Sequence, residues 1–158
     1  MKRIDYSKLY RGNVIVMPVN PAISNEKNYA VVSGIVGSIN NEKLMLANGA
    51  DIRSSLDNKL AYKKNQIDTD NIRLVIESLR DKTLCFDQTP KIGDLIMSND
   101  SNENYYVGFV NEINGNGLLL SNYHPKYRTP WIKKNESLMN LGDGYIKLLT
   151  NDDILNTF

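Results

Sequence analysis

The chain has 158 residues, of which 41% are hydrophobic and 23% charged, and its net charge is +1. That composition is ordinary for a folded globular protein and too apolar for disorder. The longest apolar run, Val14 to Val19, is interrupted by Pro18 and far too short to span a bilayer, and Ile4-Asp-Tyr-Ser-Lys8 is no signal-peptide core, so a cytoplasmic protein with no membrane partner is expected. The single cysteine, Cys85, excludes an internal disulfide and a cysteine-based zinc site, and Leu84-Cys-Phe86 reads as a buried structural thiol.

Taken in chain order, the elements come twice. Gly12 followed by Val14 and Val16 predicts a strand after a tight turn, and Gly93 followed by Leu95 and Met97 repeats it. Residues 29 to 39 and 105 to 113 are β-rich, each with a central glycine that permits a bend or bulge. A hairpin turn follows at Asn40-Asn41 and at Asn114-Gly115-Asn116-Gly117, then a strand carrying Leu44/Leu46 or Leu118/Leu120. Residues 33 to 48 align without a gap onto 107 to 122, with seven of sixteen positions identical, where ordinary usage gives about one. After this the copies are less clear. Leu56, Leu60, Tyr62 and Lys63-Lys64 fit a short helix or a further hairpin, and 68 to 80 fits either period. The repeat, with Ile72-Arg-Leu-Val75 laid on Ile146-Lys-Leu-Leu149, favours a strand ending near Val75 and a helical turn after it.

The expected architecture is all-β, with short helices, built by internal duplication: a first copy over 1–80, a connector over 81–91 containing Pro90, and a second copy over 92–158. Val36, Ile39, Leu44 and Leu46, and their counterparts Val110, Ile113, Leu118 and Leu120, are the expected core. Charge divides unevenly: 12 Lys/Arg against 8 Asp/Glu in residues 1–80 give +4, and 7 against 10 in residues 81–158 give −3. Such asymmetry suits solvated surfaces and leaves oligomerisation open. The abundance of Asn, Lys and Ile, whose codons are A/T-rich, fits a phage or other mobile element.

Gly34-Ile-Val-Gly-Ser-Ile-Asn-Asn-Glu-Lys-Leu-Met-Leu-Ala-Asn48 and its second copy resemble the first Sm motif, and Gly93-Asp-Leu-Ile-Met97 resembles the opening of SH3-like barrels. The resemblance to the SH3-like, Tudor, KOW and Sm-like families implies two tandem small barrels. It does not carry an Sm-type RNA pocket, because Asn71-Ile-Arg-Leu74 lacks the glycines of the second Sm motif. The opening also resembles toxin endoribonucleases of the MazF/PemK type, but Asn28-Tyr29 stands where their Arg-Pro precedes a valine-rich strand, so a degenerate nuclease is the one enzymatic alternative.

Catalytic and metal signatures are otherwise lacking. His124 is the only histidine, and between Tyr123 and Pro125 a surface or packing role is expected of it rather than that of a general base. Asp100-Ser-Asn102-Glu-Asn104 fails as a calcium loop, since Tyr105 occupies the glycine position and Asn111 the place of the bidentate glutamate. Asp68-Thr-Asp70 and Asp152-Asp153 read as turn or cap residues, and Gly142-Asp-Gly144 as a turn into the last strand. No cofactor or metal is expected.

One segment carries chemistry. Residues 123 to 134 hold Tyr123, His124, Lys126, Tyr127, Arg128, Trp131, Lys133 and Lys134, with Pro125 and Pro130 opposing regular helix and no acid among them. Aromatic faces beside cations suit stacking on unpaired bases or a nucleotide, and also protein hot spots. Arg53, Tyr62, Lys63 and Lys64 form a weaker version in the first copy. The expectation is a non-catalytic binding module that contacts nucleic acid or a nucleoprotein through this loop. The alternatives are an inhibitor of a host enzyme or defence system acting by protein contacts, and a sponge for a signalling nucleotide.

Overall fold

The computed structural model describes residues 1–20, 29–50, 56–57, 59–79, 89–99, 105–127 and 136–158. Cys85 lies outside them. The strands are β1 (Lys2–Arg3), β2 (Val14–Val19), β3 (Ala30–Ile39), β4 (Lys43–Ala47), β5 (Gly49–Ala50), β6 (Leu56–Asp57), β7 (Leu60–Lys63) and β8 (Arg73–Ile76) in the first copy. The second supplies β9 (Leu95–Asn99), β10 (Tyr105–Asn114), β11 (Gly117–Ser121), β12 (Glu136–Asn140) and β13 (Tyr145–Leu149), followed by one α-helix, α1 (Asn151–Thr157). The fold is all-β with short helical turns. Among the described residues no helix is long and apolar enough to cross a membrane.

The duplication extends to backbone register. Neighbouring strands run β8-β2-β3-β4-β7 in the first copy and β13-β9-β10-β11-β12 in the second. In the first, Val36 faces Leu46 and Ser38 faces Met45, so Gly37 is an extra residue; in the second, Val110 faces Leu120 and Glu112 faces Leu119, so Asn111 is extra. The same bulge sits at the same place. The expected bend was assigned to the central glycines, but Gly34 and Gly108 serve close approach instead: a Cβ on Gly34 would lie 3.0 Å from the Leu46 Cβ, and one on Gly108 would lie 3.0 Å from the Leu120 Cβ. Gly12 and Gly93 turn the chain into β2 and β9 with φ of 96° and 90°, a conformation costly to any residue with a Cβ. Gly12 N–H donates to Val36 O and Gly93 N–H to Val110 O, both at 2.8 Å.

The closing strand is the one place where the predicted alignment slips. Ile15 faces Leu74 and Ile96 faces Lys147, so the counterpart of Leu74 is Lys147, one residue off the offset that joins Ile72 to Ile146. Each closing strand also bulges once, at Val75 and at Leu148. The helical turn expected after β8 is absent through Leu79, the end of the described segment; a 3-10 turn, Thr69–Asn71, precedes the strand instead, with the Asp68 side chain accepting from Asp70 N–H at 3.2 Å. Leu60 to Lys63 resolve the helix-or-hairpin alternative as a strand, paired with β4.

Closure of each copy into its own barrel, expected from sequence, is not observed among the described residues. After β4 the first copy leaves its sheet: Val107 N–H donates to Asn48 O at 2.7 Å and Tyr106 pairs with Gly49. The second copy does the same after β11, with Ser33 N–H donating to Asn122 O at 2.6 Å and Val32 bridged to Tyr123. Each copy thus pairs with the opening of the other's long strand, and the two interlock through these reciprocal pairings.

Burial follows. Along β2, Ile15, Met17 and Val19 enter the first copy's core while Val14 and Val16 enter a cluster shared with Leu95, Met97, Val107 and Phe109 of the second. Covered on both faces, β2 reads as a continuous apolar run rather than an alternating one. The second copy's own cluster is Ile96, Val110, Leu118, Leu120 and Met139. Six of the eight expected core residues are buried; Ile39 is only partly buried and Ile113 is 39% exposed, because both lie past the bulge, where the long strand runs out to its hairpin.

Candidate aromatic and basic contact surface

The strand exchange fixes where the aromatic and basic segment begins. Tyr123, bridged to Val32, inserts its ring into the first copy's core beside Tyr6, Ile15 and Ile72. His124 N–H donates to Val31 O at 2.8 Å, and Val31 N–H donates to Tyr127 O at 3.0 Å, so residues 124 to 127 are strapped to the start of β3.

His124 is 2% exposed. Its Nδ1 accepts from Lys126 N–H at 3.1 Å, which puts the ring proton on Nε2, and Nε2 donates to Asn151 Oδ1 at 2.6 Å. Burial, followed by the hydrogen bond with Asn151 acting the other way and then the nearby Lys126 charge, leaves its pKa below the ordinary histidine value. The ring is therefore neutral and structural. Asn151, the first residue of α1, also donates its N–H to Asp94 Oδ1 at 2.8 Å, and Asp94 forms a buried ion pair with Lys147 at 3.0 Å.

From this anchor a ladder of rings leads outward. Phe109 meets His124 edge to face at 5.4 Å, His124 meets Tyr127 at 5.4 Å, and Tyr127 stacks on Tyr29 at 5.6 Å with an interplanar angle of 15°. Phe109 is fully buried, Tyr127 half-buried and Tyr29 36% exposed. Lys126 Nζ lies 5.6 Å from the Tyr127 ring centroid, a cation–π distance. Tyr29 Oη donates to Phe158 O at 2.7 Å, pinning the outermost ring to the end of the chain.

Of the predicted site residues, Lys126 and Tyr127 stand at this surface. Tyr123 and His124, expected to make contact, instead support it from inside, because the strand exchange carries them between the two copies. Tyr62 is also buried: its Oη accepts from Asn122 Nδ2 at 2.8 Å, and burial pushes its pKa up. Lys63 and Lys64 are exposed at the far end of the first copy. Arg53, Arg128, Trp131, Lys133 and Lys134 lie outside the described residues. Tyr29 was not among the predicted residues. It is adjacent in sequence to the 18–28 segment that is longer in the first copy, but its partnership with Tyr127 spans 98 positions and depends on the strand exchange.

The described residues contain no group of three His, Cys, Asp or Glu able to hold a metal ion. Of the paired acids, Asp68 caps the turn at Thr69–Asn71 and Asp153 caps α1 reciprocally with Thr150, at 3.1 Å each way. The chain matches no protein-family model, no curated protein and no solved structure.

Proposed function

We propose that the protein is a non-catalytic binding module that contacts single-stranded nucleic acid or a nucleoprotein through the loop rooted at Lys126 and Tyr127. The observation that carries this reading is the Tyr29–Tyr127 stack, exposed at its outer end and flanked by the Lys126 ammonium. A stacked ring pair anchored in the core presents an aromatic face at little further entropic cost, and an adjacent cation suits the phosphate that accompanies a base. In sequence the chain continues from Tyr127 into Arg128, Trp131, Lys133 and Lys134, more of the same chemistry. The site of action proposed is the cytoplasm.

Each copy is proposed to be a relative of the SH3-like small barrels. In support of this, five strands run in the same neighbour order in both copies, and a 3-10 turn precedes the last of them, Thr69–Asn71 before β8 and Leu141–Asp143 before β13.

Titration of the full chain with labelled single-stranded RNA and DNA at increasing salt tests the function. Nucleic-acid binding predicts affinity that falls linearly with salt on logarithmic axes. Absence of binding at low salt, with a protein retained through salt washes instead, would overturn it in favour of a host-protein partner.

A further inference from the structure

Each copy carries a hollow beside its hairpin turn, and the two are lined differently. In the first, the β3–β4 turn and the end of β7 enclose a hollow of about 660 Å³ lined by Glu42, Lys43, Lys63, Lys64 and Asn65. In the second, a hollow of about 430 Å³ lies by the equivalent turn and β12 but reaches across to Ser98 of β9 and Tyr106 of β10, with Asn116, Gly117, Leu138 and Asn140 on its near side. The ladders match at one pair: Lys43 faces Lys63 across β4 and β7, as Gly117 faces Asn140 across β11 and β12. The same ladder position carries no charge in the second copy, so the facing lysines of the first are not required by the strand pairing.

They are also unfavourable as they stand. Like charges directly opposite on a ladder repel, both side chains are exposed, and neither forms an ion pair with a described residue. Lys64 adds a third charge at a fixed position: its N–H donates to Glu42 O at 2.7 Å, and its ammonium lies 5.1 Å from the Tyr6 ring centroid. Tyr6 is itself held by donating to Asn40 O at 2.9 Å. Glu42 is the one carboxylate lining this groove. Beyond Lys64 a second hollow of about 600 Å³, which Lys64 also lines, contains Asp5 and Asp70; Asp5 accepts from the Ser7 N–H and hydroxyl, both at 3.0 Å, and feels the Lys64 charge, and Asp70 lies 3.8 Å from Arg3.

We infer that the groove between the β3–β4 turn and the end of β7 is a binding site for a phosphate group, held by Lys43, Lys63 and Lys64. An oxyanion between the facing ammonium groups turns their repulsion into attraction, and three lysines supply charge-assisted donors to its oxygens. The site is separate from the Tyr29–Tyr127 surface and does not depend on it. The phosphate comes either from a nucleic-acid backbone or from a free polyphosphate or nucleotide.

Calorimetric titration with inorganic triphosphate at low ionic strength tests the site, using the full chain, K43Q/K63Q, K64Q and K91Q as a control away from the groove. Binding is expected in the wild type and in K91Q, weakened about tenfold or more in each groove variant, while the melting temperature of K43Q/K63Q stays level or rises as the repulsion is removed. A parallel titration with a single-stranded oligonucleotide separates the two sources. A salt slope reduced by about two in K43Q/K63Q identifies the phosphodiester backbone, and an unchanged slope with triphosphate affinity lost identifies a free phosphate compound. Absence of triphosphate binding in the wild type, or equal binding in K43Q/K63Q, overturns the proposal. Oligonucleotide binding that is lost on altering Tyr29 while triphosphate binding is absent leaves the stacking surface as a reading and overturns this one.

Discussion

The turns that open β2 and β9 have the same backbone and different interiors. Asn13 N–H donates to Tyr10 O and Asp94 N–H to Lys91 O; the Asn13 and Asp94 side chains accept in return from Tyr10 N–H and Lys91 N–H. Yet Asn13 gives its amide to Glu77 O, whereas Asp94 forms a buried ion pair with Lys147, whose counterpart in the first copy is the apolar Leu74. After duplication the register, the bulge and the glycine turn have stayed, while the groups inside them have been exchanged. The facing Lys43–Lys63 pair and its uncharged counterpart, Gly117 and Asn140, show the same division. Local backbone geometry is held by hydrogen bonds that many side chains satisfy, so chemistry can diverge without disturbing it.

The sharpest way to break this comparison is to remove half of the buried ion pair. Lys147→Met leaves the Asp94 carboxylate buried beside an apolar group and should cost about 3–5 kcal/mol in a denaturation experiment. Asp94→Asn with Lys147→Leu copies the first copy's arrangement and should come within about 1 kcal/mol of the wild type, since buried pairs replaced together by well-packed groups are often near neutral. If the double variant is as damaged as the single, the two turns are not interchangeable.

Core positions sharpen the picture from the other side. Leu118→Ala and Leu44→Ala should each cost about 2–5 kcal/mol, while Ile113→Ala, out on the hairpin, should stay within about 0.5 kcal/mol, as surface substitutions do. Equal losses at Leu118 and Ile113 would contradict the placement of the bulge.

The repeat, its hairpins, its turn glycines and most of its core were legible in the sequence, because they are local patterns present twice. The slip of the closing strand was not, because Ile72 and Ile146 match by identity although Ile72 lies buried just before β8 in the first copy's core and Ile146 is part of β13. Strand exchange was hidden for a deeper reason: Gly49 opposite Tyr106 and Tyr123 opposite Val32 are long-range pairings with no periodic signature. Those same pairings buried Tyr123 and His124 and brought Tyr29 onto Tyr127, so the contact surface was legible as a segment but not as an arrangement. Helix α1 was foreshadowed only by Asp152-Asp153, read as turn or cap residues, of which Asp153 caps the helix start together with Thr150.

Smaller effects separate the two glycine turns. Both require positive φ, so alanine should cost about 1–2 kcal/mol at either. At Gly12 nothing lies within 4 Å of the added Cβ, whereas at Gly93 it would fall 2.1 Å from Asn151 Oδ1 and 2.8 Å from His124 Nε2. Gly93→Ala should therefore be the more damaging, and should loosen the His124–Asn151 contact. Thermal melts of the two variants read the difference.

The histidine supplies the mildest test. Its folded pKa is depressed below the ordinary 6.5, so the unfolded chain binds the proton more readily. The stability it contributes is complete above that value and is lost as pH falls through it towards the folded pKa. His124→Gln should flatten this acid-side slope in denaturation curves measured across the interval; an unchanged slope would assign the acid sensitivity elsewhere.

The most direct test of the functional account is the affinity of Tyr29→Ala for a single-stranded oligonucleotide, expressed per folded molecule. Stacking is worth about 1–3 kcal/mol per base, so loss of the exposed ring should weaken binding by roughly fivefold to more than a hundredfold with little change in salt slope, whereas Lys126→Gln should lower the slope by about one. Wild-type affinity in folded Tyr29→Ala would contradict the assignment of this surface.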